Sequence, residues 1–316
     1  MKRDSRKSVA LAVDLGGTDL KSAVVDGNGK ILHRSRISSG AKESKEKILK
    51  KILEASLLEK KWAQGGGFQV VGIGLGIPGI VSHPQGVVHR SPHFPAWRNF
   101  PILKRLKSHL RFPVAVDNDA TQAARGEGWR GAGRGHRNFV LLTLGTGIGG
   151  GIVMDGKIFR GDSGFAGEMG HVVIERNGRP CNCGGRGCLE MYASTVGIWE
   201  DLKSEVRERE RWKKASPEDL YRLALRGNQT ARKVYEKFGR SLGAGVASIV
   251  NALDIETVIL GGGLSGAWKA FIPSLRRAIA HHTYPTTAKK IRLLKAALGN
   301  DAGLVGAAKA VFDLEN

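Results

Sequence analysis

SVALAVDLGGTDLKSAVVD, residues 8–26, is the stretch on which the fold turns. SVALAVD at 8–14 is a nearly continuous apolar run of strand length, which reads as a buried strand. Gly16-Gly17-Thr18 makes a tight turn, and LKSAVVD at 20–26 returns as a second strand. Asp26-Gly27-Asn28-Gly29 is a strong hairpin signal and leads to a third strand near 30–36. The same pattern recurs further on. Residues 138–144 form a strand, Gly145-Thr146-Gly147 a turn, and 148–154 a returning strand closed by Asp155-Gly156. Strand, glycine-threonine turn, strand at 8–26 and again at 138–159 indicates an internal duplication of an α/β unit.

Outward from these hairpins, helices and single strands alternate. Ile48, Leu49, Ile52 and Leu53 recur at helical spacing over 45–62, and Gly65-Gly66-Gly67 ends that helix. QVVGIGL at 69–75 is a strand running into Gly76-Ile77-Pro78-Gly79. A short strand at 113–116 ends on Asp117-Asn118-Asp119, where a helix begins with Asp119 near its N-cap. Helices are expected near 197–213, at 217–226 and over 230–253, the last with Val234, Phe238, Leu242, Val246, Ile249 and Leu253 in one stripe. Strand 256–260 meets Gly261-Gly262-Gly263, followed by helix 267–282, strand 291–295 and helix 303–313.

The chain has 316 residues, long enough for two ordinary domains with sizeable cores. Its 44 glycines sit beside apolar runs, as many tight turns require, and form no low-complexity tract. The formal net charge of +21 admits attraction to phosphates. The basic residues are scattered, however, as at 45–51 and 207–214 with glutamates interleaved, so they read as solvated faces and no nucleic-acid partner is expected. The apolar run behind the basic N-terminus stops at Asp14, too short for a signal peptide, and nothing approaches a membrane span. Three closely spaced cysteines offer no disulfide framework and suit a reducing cytoplasm.

Those cysteines, Cys181, Cys183 and Cys188, all fall in one glycine-bent loop behind His171. One imidazole and three thiols complete a four-ligand Cys₃His set, the signature of a structural Zn²⁺ rather than a catalytic one. Unrelated thiols would not be gathered into one loop. Glu168 and Glu190 bracket the knuckle, where a zinc clamp would hold both acids rigid.

GTGIGG at 145–150 matches GxGxxG, but a strand follows it where a dinucleotide fold needs a helix. GIVMDGKI at 151–158 has P-loop spacing without the Ser/Thr that would meet magnesium. Both readings fail. A glycine hairpin can nevertheless bind phosphate, because successive backbone N–H groups form an anion nest.

GEMGH at 167–171 and CNCGGRGCLE at 181–190 resemble the two signatures of the ROK family of sugar kinases and sugar-responsive repressors. The two hairpins and the glycine run at 261–263 resemble the actin-like ATPase (ribonuclease H-like) fold to which those kinases belong. The resemblance runs from about Val9 to Ala310 and takes in GIPG at 76–79, VDNDA at 116–120, GGGLS at 261–265 and AGLVGAA at 302–308. It implies two α/β domains, residues 1–118 plus 301–316 and residues 119–300, with a catalytic cleft between them. ATP would be held by Asp14, Gly16, Gly17, Thr18, Gly145, Thr146, Gly147, Gly261, Gly262 and Gly263, with Asp14 organising Mg²⁺. Gly79, Asn118, Asp119, Glu168, His171 and Glu190 would bind sugar, with Asp119 the general base. A homodimer follows from the family alone. Asp19 departs from the family pattern, since a carboxylate beside a phosphate loop opposes donor binding.

The implied activity is an ATP-dependent hexose 6-kinase with glucose as the expected substrate. The alternatives are another hexose (fructose, mannose, an N-acetylhexosamine), a polyphosphate donor, or a sugar-sensing regulator. Such regulators carry a helix-turn-helix ahead of the sugar domain, and only a few residues precede the first strand here.

Overall fold

The first strand, β1 (Ser8–Leu15), is buried along nearly its whole length and forms a hairpin with β2 (Asp19–Asp26). A computed structural model describes residues 7–205 and 215–314. In chain order there follow β3 (Ile31–Ser38), α1 (Lys45–Gly65), β4 (Gln69–Ile77), β5 (Ile80–Ser82), β6 (Val87–Arg90) and β7 (Arg98–Phe100). Next come α2 (Ile102–Lys107), β8 (Val114–Asn118), α3 (Asp119–Arg130), β9 (Phe139–Leu144), β10 (Ile148–Met154) and β11 (Lys157–Phe159). The remainder is mostly helical: α4 (Thr195–Glu205), α5 (Pro217–Leu225), α6 (Gln229–Leu253), β12 (Thr257–Gly261), α7 (Trp268–His282), α8 (Pro285–Ala288), β13 (Arg292–Lys295) and α9 (Ala302–Phe312).

The chain divides into two units. One takes in the chain up to Arg137, Gly151–Gly167 and the stretch from Ala297; the other takes in Asn138–Gly150 and Glu168–Ala296. The strand order is β3-β2-β1-β4-β8 in one five-stranded sheet and β11-β10-β9-β12-β13 in the other. The two orders correspond strand for strand, which is the duplication read from the repeated hairpins.

In the first unit β1, β4 and β8 run parallel, so both faces of the sheet need cover. Leu11, Val13, Ile73 and Leu75 pack with Ile48 and Ile52 of α1 in one core. Ala10, Ala12 and Ala23 face Leu304, Ala307 and Val311 of α9 in another. Small residues on this second face let α9 lie directly on the strands: a Cβ on Gly74 would sit 1.9 Å from the carbonyl oxygen of Ala307. The helix α1 starts where Ser44 caps Lys47 N–H and stops at Gly66. Its buried face includes Glu59, whose carboxylate accepts the Ser22 hydroxyl at 2.8 Å and lies 2.7 Å from His33 Nδ1. That pairing removes the cost of burying the acid.

In the second unit β9, β12 and β13 are parallel. On α6 Val234, Phe238, Leu242, Val246 and Ile249 of the expected stripe are buried, and Leu253 at its end is half-buried. The helix expected near 197–213 is α4 up to Glu205; its continuation lies outside the described residues. The helix at Asp119 starts one position earlier than expected, because Asn118 is the N-cap and Asp119 the first helical residue. The short strands β5, β6 and β7, which form a three-stranded sheet of their own, and the helix α2 had no sequence counterpart. Among the described residues no helix is long and apolar enough to cross a membrane.

Candidate active site

Strand register sets the candidate residues of the first unit. Asp14 of β1 pairs with Gly76 of β4, and Gly76 with Asp117 of β8. These residues therefore stand in one row at the carboxyl ends of three parallel strands, each about 4.8 Å from the next. Ligands of open α/β sheets bind beyond such ends. From this row the chain continues into the Gly16-Gly17-Thr18 turn, the Gly76–Gly79 turn and the Asp117-Asn118-Asp119 corner.

The glycine turn is held from one side. Ser39 donates its hydroxyl to the Gly17 carbonyl at 3.0 Å and its N–H to the Thr18 carbonyl at 3.0 Å. Burial pushes the Asp14 carboxyl above the ordinary carboxylate range, and Lys21, 3.5 Å away, pulls it back. A Cβ on Gly303, in the first turn of α9, would come within 3.3 Å of Asp14 Cγ, close enough that the carboxylate would have to shift. Asp19 does not stand as a bare negative charge at the turn, because Arg36 reaches it at 2.5 Å.

Asn118 has two partners. Its Oδ1 accepts Thr121 N–H at 3.0 Å as the cap of α3, and its Nδ2 donates to the Gly79 carbonyl at 3.0 Å. Gly79 has φ +108, and a Cβ there would lie 2.3 Å from the Arg90 carbonyl oxygen, so this turn requires glycine. Asn118 caps α3 at Thr121 N–H, and the Asp119 carboxylate accepts Ala120 N–H of the same first turn at 2.8 Å.

Beneath this corner lies a group the sequence did not announce. Asp117 is 4% exposed and accepts both arms of Arg160, at 3.0 and 2.7 Å, and Arg125 at 3.1 Å. Burial alone would raise its pKa; the hydrogen bonds from Arg160 and the charges of both arginines outweigh that and hold it below the ordinary value. A depressed carboxylate stabilises the fold fully above its unfolded pKa of about 3.9, and that share is lost as pH falls through the lower folded value. Arg160→Gln is expected to cost about 2–4 kcal/mol and to move acid unfolding to higher pH, since Arg125 and the Asn118 N–H are then left to meet the buried charge. Urea unfolding of both proteins from pH 7 to pH 3 checks this; matching midpoints throughout would count against the pair.

The candidate residues of the second unit are placed by the same logic. Thr143 of β9 is in register with Gly261 of β12, which brings the Gly145-Thr146-Gly147 hairpin and the 261–263 run to adjacent strand ends. A Cβ on Gly262 would sit 2.3 Å from the Leu144 carbonyl oxygen. The hairpin is closed by Gly145 N–H to the Gly147 carbonyl at 3.0 Å. It is supported by Glu190, whose Oε2 accepts Ile148 N–H at 2.9 Å. Glu190 was expected at the sugar; its observed contact is with the second glycine hairpin.

Glu168, His171 and Glu190 share one neighbourhood. Burial raises the Glu168 pKa, His171 lowers it, and the charge of Glu190 raises it further. His171 Nε2 lies 3.8 Å from Glu168 Oε2, while its Nδ1 is 3.6 Å from Cys181 Sγ. Cys183 and Cys188 sulfurs are 3.6 Å apart, and one donor atom from each of His171, Cys181, Cys183 and Cys188 lies within 4.8 Å of the others. A tetrahedral zinc with Zn–S of about 2.3 Å and Zn–N of about 2.0 Å has edges of roughly 3.5–3.8 Å. The His171–Cys181 and Cys183–Cys188 spacings match those edges while the set as a whole spans up to 4.8 Å, so the four residues could hold such an ion. Burial and the adjacent sulfurs push the Cys188 thiol up to about 12, and a bound dication would reverse that by stabilising thiolates. The loop is fastened by Arg179, which donates to the Met191 carbonyl at 2.9 Å and to Asp201 at 2.5 Å.

Asp14, Gly16, Gly17, Thr18, Gly79, Asn118 and Asp119 thus fall in the first unit. Gly145–Gly147, Glu168, His171, Glu190, Gly261–Gly263 and the three cysteines fall in the second. Asp117, Arg125, Arg160 and Arg179 were missed. For Asp117 the doubled acid in VDNDA was a usable signal; the arginines gave none.

A family profile described as "ROK family" matches residues 10–313. A glucokinase of Halalkalibacterium halodurans is 36% identical, covering 97% of this chain and 96% of its own length. Among solved structures, a ROK-family glucokinase from Streptomyces griseus, in complex with glucose and AMPPNP, superposes with a TM-score of 0.80. It is 31% identical, with 95% of this chain and 98% of that one covered. A ROK-family transcriptional regulator, a homologue of the E. coli MLC protein, has a TM-score of 0.88 at 28% identity, over 97% of this chain and 79% of its own. The fold is therefore that of the actin-like ATPase sugar kinases and their regulator relatives.

Proposed function

The chain belongs to the ROK family, and from that membership we infer that it is an ATP-dependent glucose kinase, making glucose 6-phosphate and ADP. The observation that carries the catalytic reading is the Asp14–Gly76–Asp117 row. It puts a phosphate-type hairpin, a glycine turn clamped by Asn118 and the Asp119 carboxylate on one sheet end. A regulator needs only to bind sugar, and a carboxylate beside the Gly16-Gly17-Thr18 turn supports the catalytic reading instead.

In the proposed reaction Asp119 takes the proton of the 6-hydroxyl as that oxygen attacks the γ-phosphorus. The bond to the β,γ-bridging oxygen breaks and ADP leaves. The glycine turns at 16–18 and 145–147 hold phosphates through backbone N–H groups, and 261–263 lies against the nucleoside. Gly79, Asn118, Glu168 and His171 hold sugar hydroxyls. Glu190 acts on the sugar wall and, through Ile148 N–H, on the second hairpin.

Asp14 is the residue that would hold Mg²⁺; a buried carboxylate beside phosphates suits that ion, which supplies neutralisation of the phosphate charge. Zn²⁺ on His171, Cys181, Cys183 and Cys188 would orient His171 and take no part in the chemistry. A cytoplasmic homodimer completes the proposal; the free thiols support the compartment and the family supports the dimer.

The test is ADP release with Mg²⁺ and ATP across glucose, fructose, mannose and N-acetylglucosamine, with polyphosphate as a second donor. Glucose with ATP is expected to give the highest kcat/KM. Absence of sugar-dependent ADP release with all four sugars would sink the ATP-kinase reading, and sugar phosphate formed only with polyphosphate would make that the donor.

A further inference from the structure

The loop at 90–97 touches the Gly16-Gly17-Thr18 and Gly76–Gly79 turns. At its start, the Arg90 carbonyl oxygen and Ser91 Cα lie 2.3 and 2.8 Å from where a Cβ on Gly79 would stand. Two residues on, the ring of His93 lies against Gly17: a Cβ there would be 2.8 Å from Nδ1 and 2.9 Å from Cγ of the imidazole. Two residues span at most about 7 Å, so His93 stands between the glycine turn beside Asn118 and the hairpin assigned to phosphate. The loop is anchored immediately behind it. Phe94 and Trp97 are 0% exposed, their rings 5.2 Å apart, and Trp97 N–H donates to the Phe94 carbonyl at 2.9 Å. His93 itself is exposed and has no hydrogen bond or ion pair among the described residues.

A solvent-facing imidazole fixed by a buried aromatic pair and resting on a phosphate hairpin is placed to meet a ligand. We propose that His93 is a further catalytic residue, whose ring N–H donates a hydrogen bond to a non-bridging oxygen of the phosphoryl group during transfer. This rests on the kinase reading above. The attacking oxygen–phosphorus bond forms, the phosphorus–bridging-oxygen bond breaks and Asp119 takes the hydroxyl proton; His93 keeps its own proton throughout. Its donor is held in place before the reaction, so it opposes the charge on the transferring group without reorganisation.

His93→Leu keeps bulk and removes the donor; His93→Gln restores an N–H. Steady-state kinetics on both, with melting temperatures and glucose titration by tryptophan fluorescence, test the assignment. The expected result is a fall in kcat of about 100-fold for His93→Leu with glucose affinity within about threefold, and recovery to within about tenfold of the parent in His93→Gln. Parent-like kcat in His93→Leu overturns the proposal. So does an equal loss in both variants at unchanged melting temperature and sugar affinity. If His93→Leu melts early, the proposal stands or falls on whether His93→Gln, at parent-like stability, keeps its kcat. Failure of the parent protein to turn over glucose with ATP is a separate outcome, and removes the kinase reading together with this one.

Discussion

Asp119→Asn is expected to lower kcat by about 10²–10⁴-fold while leaving the protein folded and able to bind glucose. The first part follows from the role of the carboxylate: an amide cannot take the hydroxyl proton, and no other acid shares the Asn118-Asp119 corner, since Asp117 is buried in its arginine pairs. The second part follows from the cap. The start of α3 is secured by Asn118 Oδ1 on Thr121 N–H, so the neighbouring position can lose its charge without uncapping the helix. The favourable position of an acid in the first helical turn is given up, worth about 0.3–1 kcal/mol, while the amide oxygen of Asn can still accept Ala120 N–H. Had Asp119 been the cap, as the sequence suggested, loss of activity in an Asp119 variant would have confounded chemistry with helix stability. Measuring kcat, glucose affinity and melting temperature on one preparation separates them. Unchanged kcat would remove Asp119 as the base; a fall in melting temperature matching the loss of activity would mean a structural role instead.

The same contrast explains what could be read in the sequence. Both hairpins were legible because each is local: apolar runs of strand length flank a glycine turn, and the residues that meet are neighbours in the chain. The His171–Cys188 cluster was legible because three of its four residues lie in one loop and thiols gathered there have few other uses. Most of the contacts that were missed are joined at long range. Arg160 meets Asp117 across 43 residues and Arg179 meets Asp201 across 22, although Arg125 meets Asp117 across only 8. No periodicity records such a meeting, since it depends on the sheet having formed. The short strands β5, β6 and β7 escaped for a different reason: three or four residues are too few for an alternating pattern to show. His93 shows the limit most sharply, because its significance is the missing side chain of Gly17, a residue in another element.

Stripping the metal from the His171–Cys188 cluster should cost glucose affinity first and nucleotide affinity second, although the ion takes no part in phosphoryl transfer. The order follows from distance along the chain. His171 is itself a ligand candidate and faces Glu168 through Nε2, so a released imidazole loses the orientation that serves the sugar directly. A hydrogen bond involving a charged partner is worth about 1.5–3 kcal/mol, which corresponds to roughly a 10–100-fold rise in KM for glucose. Glu190 follows Cys188 by two positions and supports the Gly145–Gly147 hairpin only through Ile148 N–H, so the phosphate side is reached through one further contact. A smaller rise in KM for ATP is expected there. Chelation with metal content verified before and after, followed by kinetics in both substrates and re-addition of Zn²⁺, checks the sequence of effects. Unchanged glucose affinity in verified metal-free protein would show that the sugar wall stands without the ion. A loss confined to ATP would mean that Glu190 serves the hairpin and not the sugar.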